Sequence, residues 1–106
     1  MATYLVDAWT ALGDPTRRLI FERLAEQPQA VGELASALPV TRPAVSQHLR
    51  VLKDAGLVAG RAVGNRRIYQ VDPDGVSVLM AQLSRFWTQA LANYKQLVEQ
   101  VPEEDQ

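Results

Sequence analysis

At 106 residues, 47% of them apolar, the chain has material for one modest core and little room for a second. It contains no cysteine, which excludes disulfides and thiolate metal sites together. The net charge of −1 argues against a uniformly basic nucleic-acid binder, yet it hides a local imbalance. From Thr41 to Val71 the chain carries Arg42, Arg50, Lys53, Arg61, Arg66 and Arg67 against one acid, Asp54. The remainder holds five basic and eleven acidic residues, so a basic segment lies between acidic ends. Phosphates respond to that local charge rather than to the total. No apolar run approaches a membrane span. The opening string MATYLVDAWTALGD has no basic region ahead of an apolar one, so no secretory signal is expected and the cytoplasm is the default location.

Residues Thr3 to Leu12 place Tyr4, Leu5, Ala8, Trp9 and Leu12 along one side of a short first helix, which Gly13 breaks. Asp14-Pro15 restarts the chain as an N-cap followed by proline at the first helical position. This second helix is predicted to run to about Ala25, with Ile20, Phe21 and Leu24 inward. Arg17 and Arg18 are expected in solvated or intramolecular ion-pair roles, and the string EQPQA as a loop. Val31 to Leu38 forms a third helix burying Val31, Leu34, Ala35 and Leu38. Leu38-Pro39-Val40 is a tight turn, because Pro39 biases the residue before it away from the helix.

Thr41 to Ala55 reads TRPAVSQHLRVLKDA and carries the signals of both helix ends. Thr41 is the N-cap, Pro43 sits where first-turn N–H groups lack partners, and Gly56 supplies the left-handed stop. Val45, Leu49 and Leu52 form one apolar stripe, and Arg42, Ser46, Gln47, Arg50 and Lys53 occupy the opposite face. Amide, hydroxyl and guanidinium groups are the ones that read base edges and phosphates. A short helix, a tight turn and a second helix with a polar outer face make the helix-turn-helix pattern. Leu57–Val63 and Arg66–Val71 then read as strands joined at Gly64-Asn65, a pair that favours a primed hairpin turn. A hairpin behind such a helix is a wing, with Arg61, Arg66 and Arg67 placed to reach backbone or minor groove.

Asp72-Pro73 opens a long helix reaching about Val101. Its apolar residues step by threes and fours from Val76 through Leu79, Leu83, Phe86, Trp87, Leu91 and Tyr94 to Val98, close to a heptad seam. Such a stripe offers more apolar surface than the small middle of the chain can cover, so burial against a second copy is expected. The sequence thus predicts one mainly α (α+β) winged helix-turn-helix domain over 1–106, with about five helices and a two-stranded wing. Segments 1–13 and 73–101 are the expected dimerisation helices, 31–55 the helix-turn-helix, 57–71 the wing, and 102–106 a disordered acidic tail.

The string RPAVSQHLRVLKDAGLV, the hairpin ending RRIYQVD and the earlier ALGDPTRRLIFERL resemble the arsenic-repressor (ArsR/SmtB) family of bacterial winged-helix regulators. The resemblance covers nearly the whole chain. It implies a homodimer joined through first and last helices, with an operator bound by both protomers. It also implies that Ser46, Gln47 and Arg50 face DNA. His48 matches a family histidine; its helical spacing puts it beside Val45 and Leu49, in a packing or backbone-bonding role before a DNA contact. The sensing half departs from the pattern. Glu33-Leu34-Ala35-Ser36-Ala37 stands where metal-sensing members carry Cys-Val-Cys, and the last helix has no His and no Asp between Val76 and Val101. The chain resembles members without metal sites, which act as constitutive or autoregulatory repressors.

The resulting expectation is a homodimeric repressor of double-stranded DNA at an inverted-repeat operator, with no cofactor, no metal and no identified effector. DNA-facing residues are Thr41, Arg42, Pro43, Ser46, Gln47, Arg50, Lys53, Arg61, Arg66 and Arg67. The dimer interface takes Tyr4, Leu5, Trp9, Leu79, Leu83, Phe86, Trp87, Leu91 and Tyr94. The alternatives are a winged-helix protein-interaction module, or a repressor released by a metal or small-molecule effector. A protein-interaction module would show an acidic or apolar outer face on Thr41–Ala55, whereas that face is basic and polar. One histidine, no cysteine and no clustered carboxylates leave no nucleophile–base or acid–base pair for an enzyme.

Overall fold

The structure, a computed structural model, describes residues 7–100. Five helices and three short strands follow in the order α1 (Ala8–Ala11), α2 (Pro15–Glu26), β1 (Gln29–Ala30), α3 (Val31–Ala37), α4 (Arg42–Asp54), β2 (Val58–Val63), β3 (Arg66–Val71) and α5 (Pro73–Gln100). Of the expected Thr3–Leu12 helix, Tyr4 and Leu5 lie outside the described residues, as do Val101 and the acidic tail.

Local signals account for most boundaries. The Asp14 carboxylate accepts the N–H groups of Thr16 and Arg17 at 2.9 and 3.0 Å, capping α2. Those bonds, Arg17's first, hold the Asp14 carboxyl below the usual aspartate range. Arg17 stays inside the chain: its Nε donates to the Ala11 carbonyl at 2.8 Å and ties α1 to α2. Thr41 Oγ1 accepts the Ala44 N–H at 3.3 Å and starts α4. At the other end Gly56, at φ +79°, lets its own N–H reach the Lys53 carbonyl and the Leu57 N–H reach Leu52, the bond pair that closes a helix with a left-handed residue.

The core sits where α2, α3 and α4 converge under the sheet. Ile20, Leu34, Val45, Leu49, Leu52 and Leu57 are fully buried there. Phe21, Val31, Ala35 and Leu38 pack around them half-buried. The wing corrects one expectation. Part of the EQPQA segment is strand: Gln29 pairs with Tyr69 and Ala30 with Ile68, so the sheet has three antiparallel strands in the order β1-β3-β2 rather than two. β2 and β3 pair from Val58↔Val71 to Val63↔Arg66, leaving Gly64-Asn65 as the turn. Gly64 has φ +63° and Asn65 has no positive φ, the pattern of a type II′ turn.

α5 begins welded to the α4–β2 corner. The Asp72 N–H donates to the Leu57 carbonyl at 2.9 Å. Two residues into the helix, Gly75 lies against the Gly56 carbonyl so closely that a Cβ there would overlap it. The first turns of α5 lean on the body, with Gly75, Val76, Leu79, Gln82 and Leu83 half-buried. From Ser84 to Gln100 every residue except Ala90 is exposed. At 28 residues the helix is about 42 Å long, and the molecule measures 70 × 35 × 22 Å.

Candidate nucleic-acid interface

Three buried side chains, Val45, Leu49 and Leu52, fix the roll of α4 about its axis. Because side chains three and four apart share a face, the remaining positions must turn outward. Thr41, Arg42, Pro43, Ser46, Gln47, Arg50 and Lys53 are all exposed, as the sequence led us to expect. Thr41 is engaged as the helix cap.

Two concavities join this face to the wing. One, of about 980 Å³, lies between the first turns of α3 and α4 and the hairpin tip; its walls include Ser36, Arg42, Ser46, Asn65, Arg66 and Arg67. The other, of about 450 Å³, is lined by Pro43, Ser46, Gln47, Arg50, Lys53 and Tyr69 among others. Eight of the ten sequence-predicted residues thus line one continuous concave surface, with Pro43 and Ser46 shared by both hollows. Arg61 does not join them. It sits on the outer strand β2 opposite Ile68, exposed but lining neither concavity.

Beyond walls such as Ser36 and Asn65, two residues of this surface make side-chain contacts within it that the sequence did not lead us to expect. Tyr69 is the first. Alternation along β3 puts Arg67 and Tyr69 on one face, and the Arg67 guanidinium lies 5.9 Å from the Tyr69 ring centroid. Gly60, directly opposite Tyr69, makes room for both: a Cβ there would lie 2.9 Å from the ring and 3.0 Å from Arg67 Nε. The second is Glu33, whose carboxylate is 3.0 Å from Arg66 Nη2. The RRIYQ alternation carried a signal for Tyr69. Nothing local placed Glu33 beside Arg66, since the pair spans α3 and the wing.

His48 is half-buried, and its enclosed Nδ1 has no hydrogen-bond partner among the described residues. Of the two expected roles, packing or backbone bonding, a backbone bond through that nitrogen is not formed among the described residues. Among the described residues no group of three or more His, Cys, Asp or Glu side chains comes together to hold a metal ion. No helix of the described residues is long and apolar enough to cross a membrane.

Comparison with known proteins decides which kind of winged helix this is. Residues 14–59 match the signature of the bacterial regulatory protein arsR family. An HTH-type transcriptional regulator of Mycobacterium tuberculosis, Rv2034, is 62% identical over 92 residues, which are 87% of this chain and 86% of that protein. This chain belongs to the ArsR family. Family members are DNA-binding transcriptional regulators, not enzymes. The SmtB repressor of M. tuberculosis is 44% identical over 61 residues, 58% of this chain and 45% of SmtB. Among solved structures, a possible transcriptional regulator for arsenical resistance aligns with a TM-score of 0.74 at 39% identity, over 93% of this chain and all of the other. A homodimeric winged helix-turn-helix DNA-binding domain from Mycobacterium bovis aligns with a TM-score of 0.63 at 30% identity, over 81% of this chain and 75% of that one. The ArsR-type scaffold and the groove between α4 and the wing therefore occur in one chain.

Proposed function

We propose that this ArsR-family regulator is a cytoplasmic homodimer that represses transcription by binding an inverted-repeat operator, including one in its own upstream region. The observation that carries the proposal is the outward face of α4. Ser46, Gln47, Arg50 and Lys53 stand exposed on a helix whose other face is fully anchored, beside a hollow that collects Arg42, Arg66 and Arg67. In this reading α4 enters the major groove, with Gln47 and Arg50 at base edges, while the wing arginines meet phosphate. The exposed stripe of α5 supports a dimer, since Phe86, Trp87, Leu91 and Tyr94 lie open to solvent and a patch of that kind ordinarily has a partner. The homodimeric M. bovis neighbour supports the same assembly, and the SmtB relatives, named as repressors, support the sign of regulation. Two α4 helices related by a two-fold axis require half-sites about 34–36 Å apart, or a multiple of that spacing.

The test is footprinting of the chain's own upstream region with purified protein. Protection of an inverted repeat, lost when the spacing between half-sites changes by half a turn, is the expected result. Affinity equal to that for random duplex at every position tested would overturn the operator reading.

A further inference from the structure

Glu33 is an acid set among cations. It lines the hollow shared by Arg42, Arg66 and Arg67, and no other acidic residue among those described does. A single oxygen, Oε1, has two partners: it accepts the Ala30 N–H at 2.8 Å and lies 3.0 Å from Arg66 Nη2. The first bond reaches back across the start of α3 as the acidic half of a capping box, and a neutral amide could make it equally well. The second does nothing for the helix. It crosses to the wing tip, one residue beyond the Gly64-Asn65 turn, where open space surrounds the Cβ position of Gly64.

Both side chains are 55% exposed, so water and salt reach the pair and it exchanges readily. Arg66 is nonetheless one of the two wing cations that line the hollow beside α4, and its guanidinium is already engaged without DNA.

We propose that Glu33 competes with DNA phosphate for Arg66, so that this wing arginine reaches the backbone by exchanging a carboxylate for a phosphate. The inference rests on the reading of the wing as a phosphate-contacting element. A duplex backbone presents a stronger field than one exposed carboxylate, so the exchange runs forward on DNA. It also breaks the Glu33–Arg66 ion pair, which lowers the net gain from the contact. Glu33 therefore sets a ceiling on sequence-independent affinity, since phosphate contacts are made on any duplex.

The experiment is a two-by-two set, with wild type, Glu33→Gln, Arg66→Ala and the double variant titrated by fluorescence anisotropy against operator and random duplexes at several salt concentrations. Glu33→Gln keeps an oxygen for the Ala30 N–H while removing the charge that engages Arg66, and circular dichroism checks that each variant is folded. Glu33→Gln is expected to bind both duplexes roughly three- to tenfold more tightly per dimer, the scale of two released surface ion pairs. Its salt dependence should steepen by up to about one unit per protomer. In the Arg66→Ala background the same substitution should have no effect. Unchanged or weaker binding by Glu33→Gln would overturn the exchange, and weaker binding would mean that Glu33 instead positions the wing. A gain that survives Arg66→Ala would overturn it too, leaving direct repulsion of DNA by the carboxylate. If Arg66→Ala weakens binding in neither background, the phosphate-contacting wing itself fails and the exchange fails with it.

Discussion

α4 and α5 are both amphipathic helices, and they meet opposite fates. α4 buries Val45, Leu49 and Leu52 completely inside its own chain and leaves a polar face free. α5 has more apolar residues and buries none of them fully; Phe86, Trp87, Leu91 and Tyr94 are 54 to 66% exposed. The difference is one of reach. A helix that lies across a small core is covered by it, whereas a helix about 42 Å long extends past a core of this size. One helix is completed by the chain, and the other still lacks its cover.

The contrast can be broken most sharply at α5. Trp87→Glu and Leu91→Glu are each expected to yield monomer by analytical sedimentation and to abolish operator binding, with helical circular dichroism largely retained. Wild-type protein that sediments as a monomer at micromolar concentration would remove the second copy from the account. Within the chain, Leu49→Ala should cost about 2–5 kcal/mol of unfolding free energy, because it empties a fully enclosed site. Denaturation at two protein concentrations sharpens the comparison. The Leu49→Ala deficit should stay the same, while the effect of Leu91→Ala should vary with concentration, as expected for an intersubunit contact.

Smaller effects belong to the free face of α4. Gln47→Ala and Arg50→Ala should each weaken operator binding by about 1–3 kcal/mol and random-sequence binding by less, the mark of a base contact. Equal losses on both duplexes would reduce these residues to phosphate contacts. Replacing Arg66 and Arg67 together by alanine should flatten the slope of log affinity against log salt by about 1–2 units. The smallest expected effect comes from metals. Stoichiometric zinc, nickel, cobalt or arsenite should change operator affinity by less than about threefold, or roughly 0.6 kcal/mol. Transition metals prefer several converging nitrogen or sulfur donors, and Ala35 and Ala37 stand where resembling sensors carry thiolates. A tenfold loss saturating at one or two ions per dimer would mean that the assembled protein does build a metal site, and would make it a metal-released repressor.

Whatever depends on neighbours a few residues apart was legible in the chain. Thr41 and Gly56 bounded α4, Asp14-Pro15 opened α2, and Gly64-Asn65 placed the hairpin turn, because a cap or a turn is satisfied within about one helical turn or one hairpin. The same periodicity assigned Val45, Leu49 and Leu52 inward and therefore Ser46, Gln47 and Arg50 outward. Contacts between distant residues were settled by packing instead. Gln29-Ala30 is too short to show a strand period, and it became a strand because β3 offered it an open edge about forty residues later. Gly75 carries no local sign of its role, which is to let α5 touch the backbone at Gly56. Glu33 read as part of a segment standing where other members carry thiolates, and Arg66 as a free wing cation. Their pairing depended on how the hairpin tip folds over α3, a packing arrangement for which local sequence carries no signal.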